Sequence, residues 1–171
     1  MKINKKMLDL ISELTKNAKK SDRDIAKKLK ISQPTVTRMR KKLEDKGYIT
    51  NYTTILDLSK LGFEIVAFIF FKAEKTGGKK VAISAHQLIS QYSNIIYAGL
   101  GNGLRGQNCL IVSLHKNFTD YTRFLEEIKK SWSKRVCDWD TFLVTMKAFS
   151  PKPLSFGGVG ELIKEIKESE K

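Results

Sequence analysis

The sequence predicts an α+β protein: an N-terminal winged helix-turn-helix domain followed by a ferredoxin-like domain with the element order βαββαβ. Three short amphipathic helical patterns, separated by cap and turn residues, occupy residues 4–46 and support the first domain. Two further amphipathic patterns alternate with four β-favouring runs in residues 62–150 and support the second. A net charge of +14, concentrated in the first 60 residues, then limits the classes of function that the protein can have.

The first two helices follow from apolar spacing and a cap. Four apolar residues recur at helical intervals and predict a helix from about residue 4 to 17: Met7, Leu10, Ile11 and Leu14. Ser21 is a favoured N-cap residue, and Asp22 and Asp24 follow in the first turn, where negative charge suits the helix dipole. A short second helix therefore begins after Ser21.

The third helix lies in residues 31–49, ISQPTVTRMRKKLEDKGYI, a run with five cationic residues. Ser32 caps it, Pro34 lies in its first turn, where a missing N–H is tolerated, and Gly47 ends it. The inward positions are spaced three and four apart: Val36, Met39 and Leu43. The cationic residues are therefore left on the outside.

Residues 48–63, YITNYTTILDLSKLGF, are rich in Tyr, Thr and Ile, which favour strands. We expect a small strand pair here. Three helices followed by such a pair form the winged helix-turn-helix plan. The expected domains are a DNA-binding domain at residues 1–50 and a wing or hinge strand at residues 51–61.

The ferredoxin-like domain spans residues 62–150 and begins with FEIVAFIFFKA, a nearly continuous apolar run that predicts a central strand. The later elements are a loop at 75–80, a helix at 81–92, strands at 94–100 and 108–115 around a Gly-rich turn, a helix at 118–132 begun by Thr119 or Asp120, and a strand at 140–149. Residues 151–171 are expected to be a linker and a C-terminal tail helix. Such a sheet leaves one face without helices, so a sheet-to-sheet dimer is expected.

Composition limits the classes of function. Residues 1–60 hold sixteen basic and seven acidic residues, an excess that favours a polyanionic partner, nucleic acid before an anionic membrane. Cys109 and Cys137 have no Cys or His nearby at metal-ligand spacing, so neither a metal nor a cofactor is expected. The longest apolar run, residues 65–71, is too short to cross a bilayer, and the start lacks a signal-peptide pattern. We therefore expect a cytoplasmic protein without a membrane partner.

The third helix supplies the candidate contacts to double-stranded DNA. In a helix-turn-helix, the second helix of the motif enters the major groove with its N-terminal residues at the base edges. Gln suits adenine, Arg suits guanine, Thr suits a thymine methyl group, and Lys suits phosphates. The expected contact residues are Ser32, Gln33, Pro34, Thr35, Thr37, Arg38, Lys41 and Lys42. The alternative is a merely solvated charged face, but the caps, the short motif and the following wing favour DNA.

Three stretches, SDRDIAKKLKIS (21–32), TVTRMRKKLEDKGYI (35–49) and ITNYTTILDLSKLGF (49–63), resemble the Lrp/AsnC family, the leucine-responsive and asparagine-operon regulators. The resemblance continues into the second domain and covers about residues 4–149. It implies a sequence-specific transcription regulator that forms a homodimer through the sheets, with assembly into tetramers or octamers. It also implies small effectors, commonly amino acids, bound between subunits near the loop that joins the second and third strands.

That loop is GLGNGLRGQN, residues 99–108, and it departs from the family pattern. It has four glycines and an Arg but no Asp, so an amino-acid ammonium group would lose its carboxylate partner. This argues against an ordinary amino acid as the effector. The candidate effector residues are Gly99, Gly101, Asn102, Gly103, Arg105, Gly106 and Asn108. The alternative is a plain hairpin turn with Asn102 and Gly103 at its tip.

A second departure is Arg40, which stands where family members usually have an apolar residue. Met39 is expected to take the inward role, with the helix slightly rotated. Two other classes stay open: an architectural DNA-binding protein without an effector, and an enzyme subunit similar to siroheme decarboxylase. The basic third helix argues against an enzyme. His86 and His115 are expected to be packed or surface residues, and no catalytic residue is assigned.

Overall fold

The computed structural model describes residues 3–74, 86–133 and 135–147, together with residues 159 and 163. The chain changes from one compact unit to another between Leu56 and Asp57. The first unit contains helices α1 (Lys5–Lys16), α2 (Asp22–Leu29) and α3 (Gln33–Asp45). The second contains strands and a helix: β1 (Ile65–Ala73), β2 (Ile95–Leu100), β3 (Cys109–His115), α4 (Phe118–Trp132) and β4 (Val136–Thr145). The predicted α+β class and the ferredoxin-like strand order are confirmed.

The helix boundaries of the first unit are set by the predicted caps. The Ser21 hydroxyl accepts from the Asp24 N–H at 3.2 Å, and the Ser32 hydroxyl accepts from the Thr35 N–H at 3.4 Å. Beyond the end of α3, the Gly47 N–H donates to the Glu44 carbonyl at 2.9 Å with a φ of +70°. These side-chain and turn contacts satisfy backbone groups that a helix end leaves unpaired.

The three helices share one apolar core. Its buried members are Met7, Leu10, Leu14, Ile25, Ala26, Val36, Met39 and Leu43. The inward role predicted for Val36, Met39 and Leu43 is confirmed. Burying a side chain of this size contributes about 1.5–3 kcal/mol. The core therefore fixes which side of α3 faces outward.

The predicted strand pair after α3 is wrong for this chain: no residue from 50 to 64 is in a strand, and residues 50–57 are exposed. Tyr, Thr and Ile favour extended backbone, but a strand also needs a neighbouring strand that takes up its N–H and C=O groups. No strand among the described residues pairs with this segment. We call residues 48–57 the exit segment.

The sheet of the second unit has the order β2-β3-β1-β4, and every neighbouring pair is antiparallel. The predicted loop at 75–80 and the start of the predicted helix at 81–92 lie outside the described residues; residues 86–89 are helical. The predicted linker and tail at 151–171 also lie outside them, apart from Val159 and Ile163. No helix among the described residues combines the length and hydropathy that a bilayer crossing requires.

Two predicted boundaries in the second unit are corrected. Asn117, rather than Thr119 or Asp120, caps α4, because its side-chain oxygen accepts from the Asp120 N–H at 2.8 Å. The last strand begins at Val136 instead of residue 140. Its register shifts opposite β1 between Phe70 and Lys72, so a bulge lets the strand continue beyond the apolar run.

The two faces of the sheet differ. One face packs on α4 through a buried cluster: Ala67, Ile69, Phe71, Ile111, Tyr121, Phe124, Ile128 and Trp132. The other, which we call the open face, is covered at one end, where Leu58 and Phe63 pack on buried Val66, Val112 and Leu114. Its remaining apolar side chains are half-buried or exposed: Phe68, Phe70, Tyr97, Leu110, Phe142 and Val144. Phe142 is 65% exposed and Tyr97 is 55% exposed. Trp132 is thus a core residue.

Candidate nucleic-acid interface and effector loop

The outward side of α3 presents most of the predicted contact residues. Ser32, Gln33, Pro34, Thr37, Arg38, Lys41 and Lys42 are exposed, and Thr35 is half-buried. The side chains of four of these have no hydrogen-bond or ion-pair partner among the described residues, and we call them the reading face: Gln33, Arg38, Lys41 and Lys42. Their polar groups are available to a ligand.

Three predicted contact residues use their hydroxyl groups inside the protein. Ser32 Oγ and Thr35 Oγ1 share a hydrogen bond at 2.7 Å within the first turn of α3. Thr37 Oγ1 donates to Asp22 Oδ2 on α2 at 2.7 Å. Because a hydroxyl has one proton, Thr37 keeps its methyl group, but not its donor, for a base.

The N-terminal end of α3 suits an anion. Its first turn has no acidic residue, whereas Asp22 and Asp24 lie in the first turn of α2. A helix N-terminus carries a partial positive charge and unpaired N–H groups, and both attract phosphate. The dipole of α3 and the cations of the reading face therefore act in the same direction.

Sequence reasoning missed an ion-paired network at the edge of α3. Arg40 Nε donates to Asp22 Oδ1 at 2.8 Å, and Arg40 Nη2 lies 2.6 Å from the same oxygen. Arg40 Nη1 donates to the Tyr52 hydroxyl at 3.2 Å, and that hydroxyl donates to Glu44 Oε1 at 2.6 Å. The signal in the sequence was a cation at a place where the family has an apolar residue. The sequence did not indicate which residues pair with Arg40.

A second missed cluster surrounds Glu13 on α1. Its carboxylate accepts from Lys20 Nζ at 2.7 Å and pairs with Lys28 Nζ at 2.8 Å, and Lys16 Nζ lies 3.7 Å away. Burial alone would raise the pKa of Glu13, but the hydrogen bonds from Lys20 and Lys28 lower it to about 2. Part of the basic excess of the first unit is therefore used to neutralise this carboxylate.

The loop between β2 and β3 is a hairpin. The Gly101 N–H donates to the Asn108 carbonyl at 3.0 Å, and the Gly103 N–H donates to the Gln107 carbonyl at 2.7 Å. The tip is the short 3-10 turn Leu104–Gly106, so the predicted tip at Asn102 and Gly103 is corrected. The tip needs two consecutive residues at positive φ, and Arg105 (58°) and Gly106 (78°) adopt them.

Asn108, a predicted effector residue, is occupied by the fold. Its Oδ1 accepts from the Ala73 N–H at 2.8 Å, and its Nδ2 donates to the Ala73 carbonyl at 3.0 Å. The side chain thus pairs with the last residue of β1 as a neighbouring backbone would. Its amide groups are not open to an effector.

A cleft of about 160 Å³ lies on the open face beside this hairpin. Its lining includes Phe70, Tyr97, Gly99, Gly101, Asn102, Gly103, Gln107 and Leu110. The buried Gln107 donates to Asp140 Oδ2 at 2.8 Å, and Arg105 Nη1 lies 3.7 Å from the same oxygen. The loop itself has no acidic residue, but the carboxylate of Asp140 on β4 lies against it.

The first unit is similar to known DNA-binding domains. A family model described as winged helix-turn-helix DNA-binding matches residues 3–50. An uncharacterised HTH-type transcriptional regulator of Pyrococcus furiosus is 30% identical over 128 residues, which are 74% of this chain and 79% of the relative. The HTH-type transcriptional regulator LrpC of Bacillus subtilis is 36% identical over 69 residues, 40% of this chain and 48% of LrpC.

Solved structures share this fold over 89–92% of the chain. E. coli AsnC superposes with a TM-score of 0.73 at 17% identity and covers 92% of this chain and 99% of its own. The structure of B. subtilis LrpC gives 0.69 at 22% identity, with 89% and 100% covered. The sequence match to the P. furiosus regulator, which extends over 79% of that protein, agrees with these similarities in fold. This chain belongs to the Lrp/AsnC family and is a transcriptional regulator with a helix-turn-helix DNA-binding domain.

Proposed function

We propose that the protein regulates transcription by placing α3 in the major groove of double-stranded DNA. The observation that carries the proposal is the reading face: four exposed, unpartnered polar side chains on a capped helix whose opposite side builds the core. Gln33 and Arg38 lie near the N-terminal end and would contact base edges. Lys41 and Lys42 lie further along and would hold phosphates.

The remaining predicted contact residues have supporting roles in this proposal. Ser32 and Thr35 keep the first turn of α3 in shape through their shared hydrogen bond. Exposed Pro34 and the methyl group of Thr37 offer apolar contacts, such as one to a thymine methyl group. The DNA-binding domain of residues 1–50 would thus read sequence with Gln33 and Arg38 and hold the DNA backbone with Lys41 and Lys42. A regulator that binds the chromosome acts in the compartment that contains it, which we infer to be the cytoplasm.

We infer that the working unit is a homodimer that buries the open face of the sheet in residues 62–150. That face exposes Phe142 and Val144 of β4 and Tyr97 of β2. Soluble monomers seldom leave a contiguous apolar patch of this kind uncovered. Two copies of α3 would then meet two half-sites about one helical turn apart. Assembly into tetramers or octamers, implied by the family, would multiply these contacts.

We further infer that the cleft beside the hairpin holds a small effector at the dimer interface. Gln107 on the cleft wall donates to Asp140 Oδ2, and Arg105 Nη1 lies 3.7 Å from the same oxygen. Phe70, Tyr97 and Leu110 supply apolar walls. This arrangement fits a zwitterion with an apolar side chain. The loop sequence alone argued against an amino acid as the effector, but Asp140 supplies a carboxylate for its ammonium group, so amino acids are candidate effectors. A family neighbour, a regulator of Neisseria meningitidis, was solved in complex with L-Met (TM-score 0.71, 17% identity, 90% of this chain and 97% of that one).

A salt titration tests DNA binding. Fluorescence anisotropy would compare a labelled duplex selected from a random library with a scrambled duplex between 50 and 300 mM salt. Because each neutralised phosphate contributes about −0.9 to the slope of log K against log salt, the slope should be steep for both duplexes. The selected duplex should bind at least about tenfold tighter at every salt concentration. A flat slope, or equal affinity for both, contradicts the proposal.

Thermal-shift measurements with the twenty amino acids test the effector. At a concentration about 100 times the dissociation constant, a ligand of the folded state adds about 2.7 kcal/mol of stability, which is a clear shift. Asp140→Asn should abolish the shift without changing the unfolding of the protein alone. No shift with any amino acid favours the effector-independent architectural reading. A coloured preparation, or binding of a tetrapyrrole, would instead support the enzyme alternative.

A further inference from the structure

We propose that Arg40 is a positioning residue for sequence reading: together with Asp22 and Tyr52 it sets the orientation of α3, and it does not contact phosphate. Arg40 is a cation on α3, and its charge alone would suggest a contact with DNA phosphate. Its guanidinium is instead turned toward α2 and the exit segment. The Arg40 side chain is 18% exposed, and that of Asp22 is 19% exposed.

The contacts of Arg40 reach three parts of the first unit. Nε and Nη2 meet Asp22 Oδ1 at the start of α2, and Nη2 also donates to the Lys20 carbonyl at 3.4 Å. Nη1 meets the Tyr52 hydroxyl in the exit segment. The planar fork of arginine can bind in these directions at once, whereas the ammonium group of lysine is a compact point charge. The geometry therefore depends on the guanidinium and not only on its charge.

The network leads directly to the reading face. Thr37, Arg40 and Glu44 are spaced three and four apart, so they form one edge of α3. Asp22 accepts from Thr37 through Oδ2 while it binds Arg40 through Oδ1. Thr37 lies one helical turn from Gln33 on one side and from Lys41 on the other. A change at Asp22 or Arg40 is therefore expected to rotate α3 and move these side chains relative to base edges.

The distinction matters because positioning and phosphate contact predict different DNA binding. Loss of a phosphate contact weakens binding to every sequence alike and lowers the salt slope by about 1. Loss of a positioning contact removes none of the phosphate-binding lysines. It should lower the affinity for the selected duplex far more than the affinity for a scrambled one.

The test is Arg40→Lys, which keeps the charge and removes the fork. We expect the affinity for the selected duplex to fall at least about tenfold, with the scrambled duplex and the salt slope of both unchanged. Lys42→Ala is the matched control and should weaken both duplexes together with a shallower slope. Equal affinities of Arg40→Lys and the parent protein for both duplexes would overturn the proposal. So would equal losses on both duplexes.

Tyr52→Phe keeps the proposal testable if Arg40→Lys unfolds the first unit. It removes one hydroxyl from the exit segment, outside the apolar core. We expect a smaller loss that is again confined to the selected duplex, about threefold, because only one hydrogen bond of the network is removed. Circular dichroism at the binding temperature confirms folding. An unchanged preference for the selected duplex in folded Tyr52→Phe would count against the network.

Discussion

The carboxylate of Glu13 on α1 lies 2.8 Å from Nζ of Lys28 on α2. Lys20, in the connection between the two helices, donates to the same oxygen at 2.7 Å, and the Glu13 side chain is only 7% exposed. One buried acid thus ties α1 to the helix that supports α3. Because breaking a buried pair leaves a charge without its partner, such contacts matter more than surface ion pairs.

Glu13→Gln should therefore destabilise the first unit, by about 1–2 kcal/mol, since the amide keeps the shape but loses the charge-assisted hydrogen bonds. Urea unfolding followed by helix circular dichroism measures the change. Asp45→Asn, an exposed site near the end of α3 whose carboxylate has no partner among the described residues, is the matched control. It should stay within about 0.5 kcal/mol of the parent protein. Equal stability of all three proteins would contradict this role of Glu13.

The acid limb of stability should also depend on Glu13. Its pKa is about 2 in the folded protein and 4.5 ordinarily, so its contribution is complete above pH 4.5 and is lost as the pH falls toward 2. We expect the stability difference between the parent protein and Glu13→Gln to shrink steadily from pH 5 to pH 2.5. A difference that is independent of pH would show that the carboxylate is not ion-paired in solution.

His115 should produce a separate pH dependence nearer neutrality. It is fully buried, its Nε2 shares a hydrogen bond with Ser113 Oγ at 2.9 Å, and burial lowers its pKa from 6.5, although Asp120 opposes this. Well above pH 6.5 the imidazole is neutral in both the folded and the unfolded state. Below it the unfolded chain binds a proton that the folded protein does not, so stability falls. In His115→Gln, which does not titrate, the slope of stability between pH 5 and 6.5 should disappear; a retained slope would assign it to another group.

The local part of this structure could be read from the sequence. Ser21, Ser32 and Gly47 delimit helices through contacts within three or four residues, and the spacing of Val36, Met39 and Leu43 gives the buried side of α3. Such signals depend only on neighbours along the chain. They were sufficient to predict which side of α3 faces outward.

The missed partners of Arg40 and Gln107 are distant in sequence, whereas the missed Asn117 cap of α4 is local. Asp22 and Arg40 are 18 residues apart, and Gln107 and Asp140 are 33 apart. A cation and an acid at such separations pair only once the fold places them together, and the sequence offers many other pairings. The strand pair predicted in the exit segment was wrong for a related reason. Its residues favour a strand, but propensity does not show whether a partner strand is present.

Phe142→Asp should convert the proposed dimer into a monomer. Phe142 lies on the open face, opposite Phe68 in the register of β1 and β4, and is 65% exposed. A carboxylate buried there without a partner would cost several kcal/mol per dimer, since the symmetry places it twice. Sedimentation equilibrium measures the mass. Phe118→Asp is the matched control, because Phe118 is 60% exposed but lies on α4, and it should remain dimeric. Retained dimers in Phe142→Asp would exclude this face as the interface.

Arg38→Ala and Lys42→Ala should separate sequence reading from backbone binding. Both side chains are exposed on α3 and lack a partner among the described residues, but Arg38 lies one turn closer to the N-terminal end. Arg38→Ala should lower the affinity for the selected duplex by about 1–3 kcal/mol and relax the preference at one position of its sequence.

Lys42→Ala should instead lower the affinities for the selected and scrambled duplexes by the same factor and reduce the salt slope by about 1. Binding to a library of single-base variants of the selected duplex measures both effects. Each variant serves as the control for the other, because each removes one cation from the same helix. If Arg38→Ala weakened all sequences equally, Arg38 would be a phosphate contact, and base reading by α3 would rest on Gln33 and the methyl group of Thr37.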